Sequence, residues 1–227
     1  MKDKKIDKYI TEQSTKLTNS LISRRQFVMS VLATGVTLPI ALSLADKAVA
    51  ATANKGGHFR WGNGAADTTD TLDPATYQSS FMQAVAWSYQ NCLTVVDSDH
   101  SVIPELAETI ESDDAQTWVY NLHKGVEFHN GKTMTAEDVV LNYQYHMNPD
   151  TASAAGGLLS QIDTISADGP NRVIFKLKGA NADWPAITTD YHIMIKPTKD
   201  GVVDAQSTIG TGPYIMDEFD PGVGAKF

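Results

Sequence analysis

"TWVYNLHKGVEFHNGKTMTAEDVVLNYQY", residues 117–145, passes from strand to turn to helix within one stretch. Trp118, Tyr120 and Leu122 alternate with Val119, Asn121 and His123, the period of two that marks a strand with one buried face. Val126 and Phe128 alternate with Glu127 and His129 in the same way, and Asn130-Gly131 predicts a turn because both residues tolerate positive φ. Thr135-x-x-Asp138 resembles a capping box with Asp in the place of Glu. It opens a helix whose Val139, Val140, Tyr143 and Met147 recur at three- and four-residue steps, and Asn148-Pro149 ends it.

The histidines of this region invite a metal reading, which their spacing does not support. A zinc-type site needs three or four His, Cys, Asp or Glu side chains converging on one point. The pattern puts His123 and His129 on strands either side of Gly125 and His146 late in the helix, with no H-E-x-x-H. No metal ligands are assigned. His123, Glu127 and His129 are placed on the solvent side, and Glu137-Asp138 in the first helical turn, where negative charge complements the helix dipole.

Working outward, "HFRWG" (58–62) predicts a first strand, 63–80 a loop, and "FMQAVAWSYQNC" (81–92) a helix leading into the strand "CLTVVD". "TIESDDAQTWVYNL" reads as strand, acidic turn, strand. Beyond the central helix, "DTASAAGG" is flexible by composition. "LLSQIDTISADGPNRVIFKLKGA" gives a strand, a Gly-Pro turn and a second strand with Val173, Phe175 and Leu177 on one face. "DWPAITTDYHIMIKP" starts as a short helix and ends as a strand, and "IGTGPYIMDEFDPG" is a Gly-rich turn, a strand and a turn.

The 227 residues carry a net charge of −9, unevenly spread. Residues 1–50 hold eight Lys/Arg and four Asp/Glu, leaving ten basic and 23 acidic residues beyond them. So acidic a surface repels phosphate backbones, and no nucleic-acid partner is expected. The single cysteine, Cys92, reads as a small buried hydrophobe. Gly62-x-Gly64 lacks the third glycine of a dinucleotide fingerprint, and no phosphate loop, G-x-S-x-G or CxxC occurs. No cofactor and no catalytic residue is assigned.

The amino-terminal residues read as an export address. "SRRQFVM" (23–29) follows a Lys-rich stretch and precedes Val28–Leu44, a run without charge. Small residues then offer cleavage after Ala50 or Ala53. Arg24, Arg25 and Phe27 resemble the twin-arginine export motif, with Val28 and Met29 where leucine and lysine are usual. The run is short for a membrane span, which needs ~20 apolar residues; an uncleaved anchor is the alternative. No cysteine stands at the end of the run, so no lipoprotein anchor is expected.

Four phrases then fall in one order: "LDPATYQSSFMQAVAWSYQNCLTV", "VIPELAETIESDDAQTWVYNLHKGVEFHNGKTMTAEDVVLNYQY", "PNRVIFKL" and "IGTGPYIMDEF". Together they resemble the peptide/nickel class of extracellular solute-binding proteins of ABC importers (family 5), across residues 57–227. His123 stands where that family usually has Arg, and Ile110 where an aromatic is common. The resemblance implies an α/β fold of the two-lobed periplasmic binding protein class II type. Here it would comprise part of the first lobe (54–95 and 191–227) and the small extra lobe (96–190), behind an export signal and linker (1–53). It further implies that the chain is an N-terminal portion of a longer protein, so that residues 54–227 alone would bind poorly.

By position in that family, Tyr77 and Met82 are the foremost ligand-binding candidates, followed by Gly156, Gly157, Tyr191 and His192. Met82 equally fits the core face of a helix. The implied partners are a peptide or other small-molecule ligand, an ABC permease and the twin-arginine machinery, and the implied place is the periplasm. Peptides, nickel chelates, opines and sugars all remain open as ligands. The alternative is an exported enzyme that folds around a cofactor before transport; a signalling or chaperoning relative of the binding proteins is a third possibility.

Overall fold

The computed structural model describes residues 2–19, 21–50 and 56–227. They divide into two compact units, Met1–Trp61 and Gly62–Phe227.

The first unit contains α1 (Lys2–Thr18), α2 (Arg24–Leu32) and α3 (Leu38–Ala50). Ser23 caps α2: its hydroxyl accepts the Gln26 N–H at 3.2 Å, and the Gln26 side chain accepts the Ser23 N–H at 2.8 Å. Gly35, with φ near +90°, turns the chain and divides the uncharged run between two helices. Phe27, Val28 and Val31 bury themselves with Leu17, Ala41, Ala45 and Ala48. Among the described residues no helix is long and apolar enough to cross a membrane. The cleavage position after Ala53 and linker residues 51–55 lie outside the described residues.

In the second unit a 3-10 turn (Pro74–Thr76) precedes α4 (Ser80–Tyr89) and the antiparallel pair β1 (Thr94–Val96) and β2 (Val102–Pro104). Next come β3 (Ala107–Glu111), β4 (Thr117–Leu122), α5 (Ala136–Met147), a second 3-10 turn (Pro149–Thr151) and α6 (Gly156–Leu159). β5 (Ile162–Ala167), β6 (Arg172–Leu177) and α7 (Trp184–Ile187) follow. The short hairpins β7 (Thr198–Lys199) with β8 (Val202–Val203), and β9 (Glu218–Asp220) with β10 (Gly224–Lys226), complete the unit.

The principal sheet has the order β3-β4-β6-β5, all antiparallel. Its registers set Trp118 opposite Phe175 and Tyr120 opposite Val173. Tyr120, Leu122, Val173, Phe175 and Leu177 therefore share one buried face, on which α5 lays Val139, Val140 and Tyr143. Phe175 is the centre of this core. Its ring lies 5.1 Å from Tyr120, 4.9 Å from Tyr143 and 5.3 Å from Trp184, each at a steep angle. A second cluster gathers Leu72, Tyr77, Met82, Val85, Ala86, Tyr89, Cys92, Met194 and Met216.

The capping box at α5 is present as the spacing predicts. Thr135 donates its N–H (2.9 Å) and hydroxyl (3.0 Å) to Asp138 Oδ2, and its hydroxyl accepts the Asp138 N–H at 3.4 Å. Asp138 does more than cap. Its other oxygen pairs with Lys132 and accepts Thr198 Oγ1, tying the helix start to β7. Burial alone would raise this carboxyl, but the bonds from Lys132, Thr198 and Thr135 hold it below the usual aspartate value. Replacing Thr135 with Ala is expected to lower stability by about 1 kcal/mol. The check is a lower urea midpoint with unchanged slope.

Three expected strands are absent. Residues 58–62 have no ladder partner, and Phe59 and Trp61 stand out at 91% and 67% exposure. Residues 126–129 make one isolated bridge, Glu127 to Thr133, because Gly125 and Gly131 (φ +75° and +80°) turn the chain at both ends. Thus neither His123 nor His129 is on a strand. Residues 191–197 are irregular because a side chain takes the place of a strand partner. Asn142 accepts the Lys196 N–H at 3.0 Å and donates to its carbonyl at 2.8 Å.

Candidate functional site

Asp73 begins the local geometry. It is the N-cap of the 3-10 turn, accepting the Ala75 N–H at 2.9 Å, with Pro74 supplying a preset φ. Its second oxygen accepts the Tyr145 hydroxyl of α5 at 2.6 Å. Two residues on, the Ala75 carbonyl accepts the Ala154 N–H at 3.0 Å. The Tyr77 carbonyl then meets His192 Nε2 at 2.5 Å. Three segments distant in sequence, 73–77, 145–157 and 190–192, are thereby knitted together by hydrogen bonds at three successive points.

Five of the six candidate ligand residues lie in this knot, in different roles. The Tyr77 side chain is buried: its hydroxyl donates to the Leu72 carbonyl at 2.9 Å and accepts Gln90 Nε2 at 3.2 Å. Burial pushes that phenol up to about 12. The exposed side chains of this loop are Thr76 and Gln78. Gly156 and Gly157 start α6, and Ser153 ahead of them is bonded to His146 Nδ1 at 2.8 Å. Tyr191 is half-buried and stacks on His192 with ring centres 4.1 Å apart. Both ring nitrogens of His192 are engaged within the chain, Nδ1 with Asp190 Oδ1 at 2.7 Å. Met82 makes none of these bonds; it sits on the inner face of α4 in the second core cluster, which the Tyr77 ring also joins.

The Gly-rich phrase "IGTGPY" packs against the end of α4. The Gly212 N–H donates to the Tyr89 carbonyl at 2.9 Å, and the Tyr214 N–H to the Ser88 carbonyl at 3.1 Å. A Cβ on Gly210 would fall inside the Tyr89 carbonyl, and one on Gly212 would strike the Tyr89–Gln90 backbone. The opposite side of the loop is held by His129, whose N–H donates to the Gly210 carbonyl and whose Nε2 meets the Gly212 carbonyl, both at 2.9 Å. His129 is half-buried here rather than on the solvent side, since the Gly131 turn folds it inward.

Beneath this loop Lys196 is fully buried. Its ammonium donates to the Tyr89 hydroxyl (2.7 Å) and the Ser207 carbonyl (2.6 Å), and it lies 4.9 Å from the centre of the Tyr89 ring. Burial lowers it to about 7. His146 is likewise driven down, to about 4, by burial, so it is neutral at pH 7. Among the described residues no group of three His, Cys, Asp or Glu stands close enough together to hold a metal ion. Asp73, Tyr145, Asp190, His129 and Lys196 are the residues that sequence reasoning missed. Only the Asp-Pro pair at 73–74 carried a local signal, that of an N-cap.

The family model described as bacterial extracellular solute-binding proteins, family 5 Middle, matches residues 101–227. Among curated relatives, the glutathione-binding protein GsiB of Pectobacterium atrosepticum is 32% identical over 157 residues, covering 65% of this chain and 30% of the relative. The oligopeptide-binding protein AppA of Bacillus subtilis is 29% identical over 141 residues, covering 57% and 26%. The chain therefore spans about 30% of the length of the curated relatives it matches. Solved structures agree in fold. The agropinic-acid complex of AgaA from A. tumefacien R10 superposes with TM-score 0.61 at 22% identity, over 68% of this chain and 32% of its own. Haemophilus influenzae OppA with the peptide RPPGFSPFR gives 0.61 at 21%, over 70% and 35%.

Proposed function

This chain belongs to the bacterial extracellular solute-binding proteins of family 5, and from that premise we propose that it captures a peptide or similar small solute and delivers it to the membrane permease of an ABC importer. The observation that carries this is the family match, which covers the capped helix α5, the whole β4-β6-β5 part of the sheet and the Gly-rich loop. Glutathione and oligopeptides are the ligands named for the two curated relatives, so a short peptide is the ligand class proposed here. Solute capture needs shape and hydrogen bonding rather than a nucleophile or acid–base pair, in keeping with a knot of residues that serve one another. The loop 73–79, with exposed Thr76 and Gln78, forms one wall of the binding cleft. Residues 96–190, built on the four-stranded sheet, are the small extra lobe, and 54–95 with 191–227 belong to lobe one.

Residues 1–53 act as an export signal of the twin-arginine type, placing the mature protein in the periplasm. Arg24 and Arg25 support this by standing exposed on the first turn of α2.

Thermal unfolding of the whole protein, with and without glutathione, tripeptides and pentapeptides, tests the ligand reading. A bound ligand at 100 times its Kd adds about 2.7 kcal/mol, which raises Tm by a few degrees. A flat response to all three, with shifts from metal chelates or oligosaccharides instead, removes the peptide assignment.

A further inference from the structure

His192 is 9% exposed and faces two acceptors at once. Nδ1 lies 2.7 Å from Asp190 Oδ1, and Nε2 lies 2.5 Å from the Tyr77 carbonyl oxygen. A carboxylate and a carbonyl offer lone pairs only, whereas a neutral imidazole carries a single N–H. Both bonds therefore exist together only in the imidazolium. Asp190 is itself fixed: the same oxygen accepts the His192 N–H at 2.9 Å, and its carbonyl accepts the Cys92 thiol at 3.3 Å.

We propose that His192, held by Asp190, is a positioning residue that clips the Tyr77 carbonyl and so sets where Thr76 and Gln78 stand. This rests on the reading that loop 73–79 faces the ligand. The clip is the last of the three ties on the loop. Those at Asp73 and Ala75 use a phenol and a backbone amide, which keep their protons through neutral pH; the tie at Tyr77 alone of the three uses an imidazole proton, the Nε2–H, which is the one lost because the Asp190 carboxylate, the stronger acceptor, keeps the Nδ1–H.

The titratable surroundings favour the charged ring. Asp190 faces it from its own segment, His146 approaches from α5 but is neutral, and Asp73 lies ahead of the 3-10 turn, where it acts on His146. Tyr191 stacks on one side. Burial lowers His192, but Asp190 and the Tyr77 carbonyl outweigh it and leave the group above 6.5. For a raised histidine the stabilisation is complete below 6.5 and is lost as the pH rises through the folded-state value. The loop is thus held tightest on the acid side and loosens toward alkali.

The test is an NMR titration of the ¹³C,¹⁵N-labelled chain from about pH 5 to about pH 9. The His192 ring nitrogens should titrate above 6.5, with the Tyr77 carbonyl and Gln78 amide shifts moving at the same midpoint. Asp190→Asn should lower that midpoint by about one unit or more. His192→Gln, which can donate only through its amide, should abolish the coupled movement. In the whole protein, with glutathione as the probe, Kd should weaken roughly threefold to tenfold as the pH rises through the His192 midpoint and stay flat in His192→Gln. A His192 midpoint at or below 6.5, or a Tyr77 carbonyl that does not follow it, overturns the clip. An intact coupled titration with no affinity for glutathione or peptides leaves the clip standing and removes only the ligand assignment.

Discussion

Replacing Phe175 with Ala is expected to cost about 4 kcal/mol of stability. The side chain is completely buried, so its removal opens a cavity with no access to water. Three aromatic neighbours, Tyr120, Tyr143 and Trp184, lose their common partner at once. Edge-to-face pairs contribute about 0.5–1.5 kcal/mol each beyond their buried area. β6 is also an interior strand, paired on both sides, so the cavity cannot collapse by moving an edge. Against a total of about 5–15 kcal/mol for an ordinary domain, such a loss leaves little. Guanidinium unfolding followed by tryptophan fluorescence measures it. Phe175→Leu should retain more than half of the lost stability, and a loss below about 1 kcal/mol for the alanine variant would mean that this core is loosely packed.

The second large effect is one of pH. Lys196 is buried among neutral partners, and a neutral amine has enough hydrogens to keep both of its bonds, to Tyr89 and to Ser207. The Tyr89 ring, Asp204 and Asp73 favour the charge, but burial outweighs them and lowers the group to about 7. Between that value and the ordinary 10.5 the folded chain binds fewer protons at this site than the unfolded chain. Stability therefore rises with pH across the window, by up to about 4 kcal/mol at about 1.4 kcal/mol per unit. Tyr77 and Tyr89, both raised above 10.0 by burial, act in the opposite sense at higher pH, so the gain ends near 10. Urea midpoints from about pH 7 to about pH 10 should climb more steeply in the parent chain than in Lys196→Met, the release of the His192 clip being common to both. Parallel slopes in the two proteins would show that Lys196 remains charged in the fold.

Local pattern made the sheet and its helix legible. Two-residue alternation marked β4 and β6, the Thr135–Asp138 spacing marked the start of α5, and Asn148-Pro149 marked its end. What could not be read was set by partners far along the chain. "YHIMIKP" has the composition of a strand, yet its backbone is bonded by Asn142 and by the carbonyl of Asn91. The alternation around His129 pointed it outward until the glycine turns reversed it. The knot at 73–77 depends on Tyr145, Ala154 and His192, none of which announces itself at residue 77. The family phrases carried the family, whereas the surroundings of the candidate residues, with Met82 in the core and His192 bonded on both sides, needed three dimensions.

The lone cysteine has a practical consequence. Cys92 is wholly enclosed, its Sγ turned toward the Asp190 carbonyl, and burial raises its thiol well above the usual value. A maleimide or iodoacetamide added to the native protein meets no thiolate until the chain opens around α4 and the 190–192 turn. The rate of alkylation is therefore a built-in gauge of that opening, with no second sulfhydryl in the sequence to blur the count.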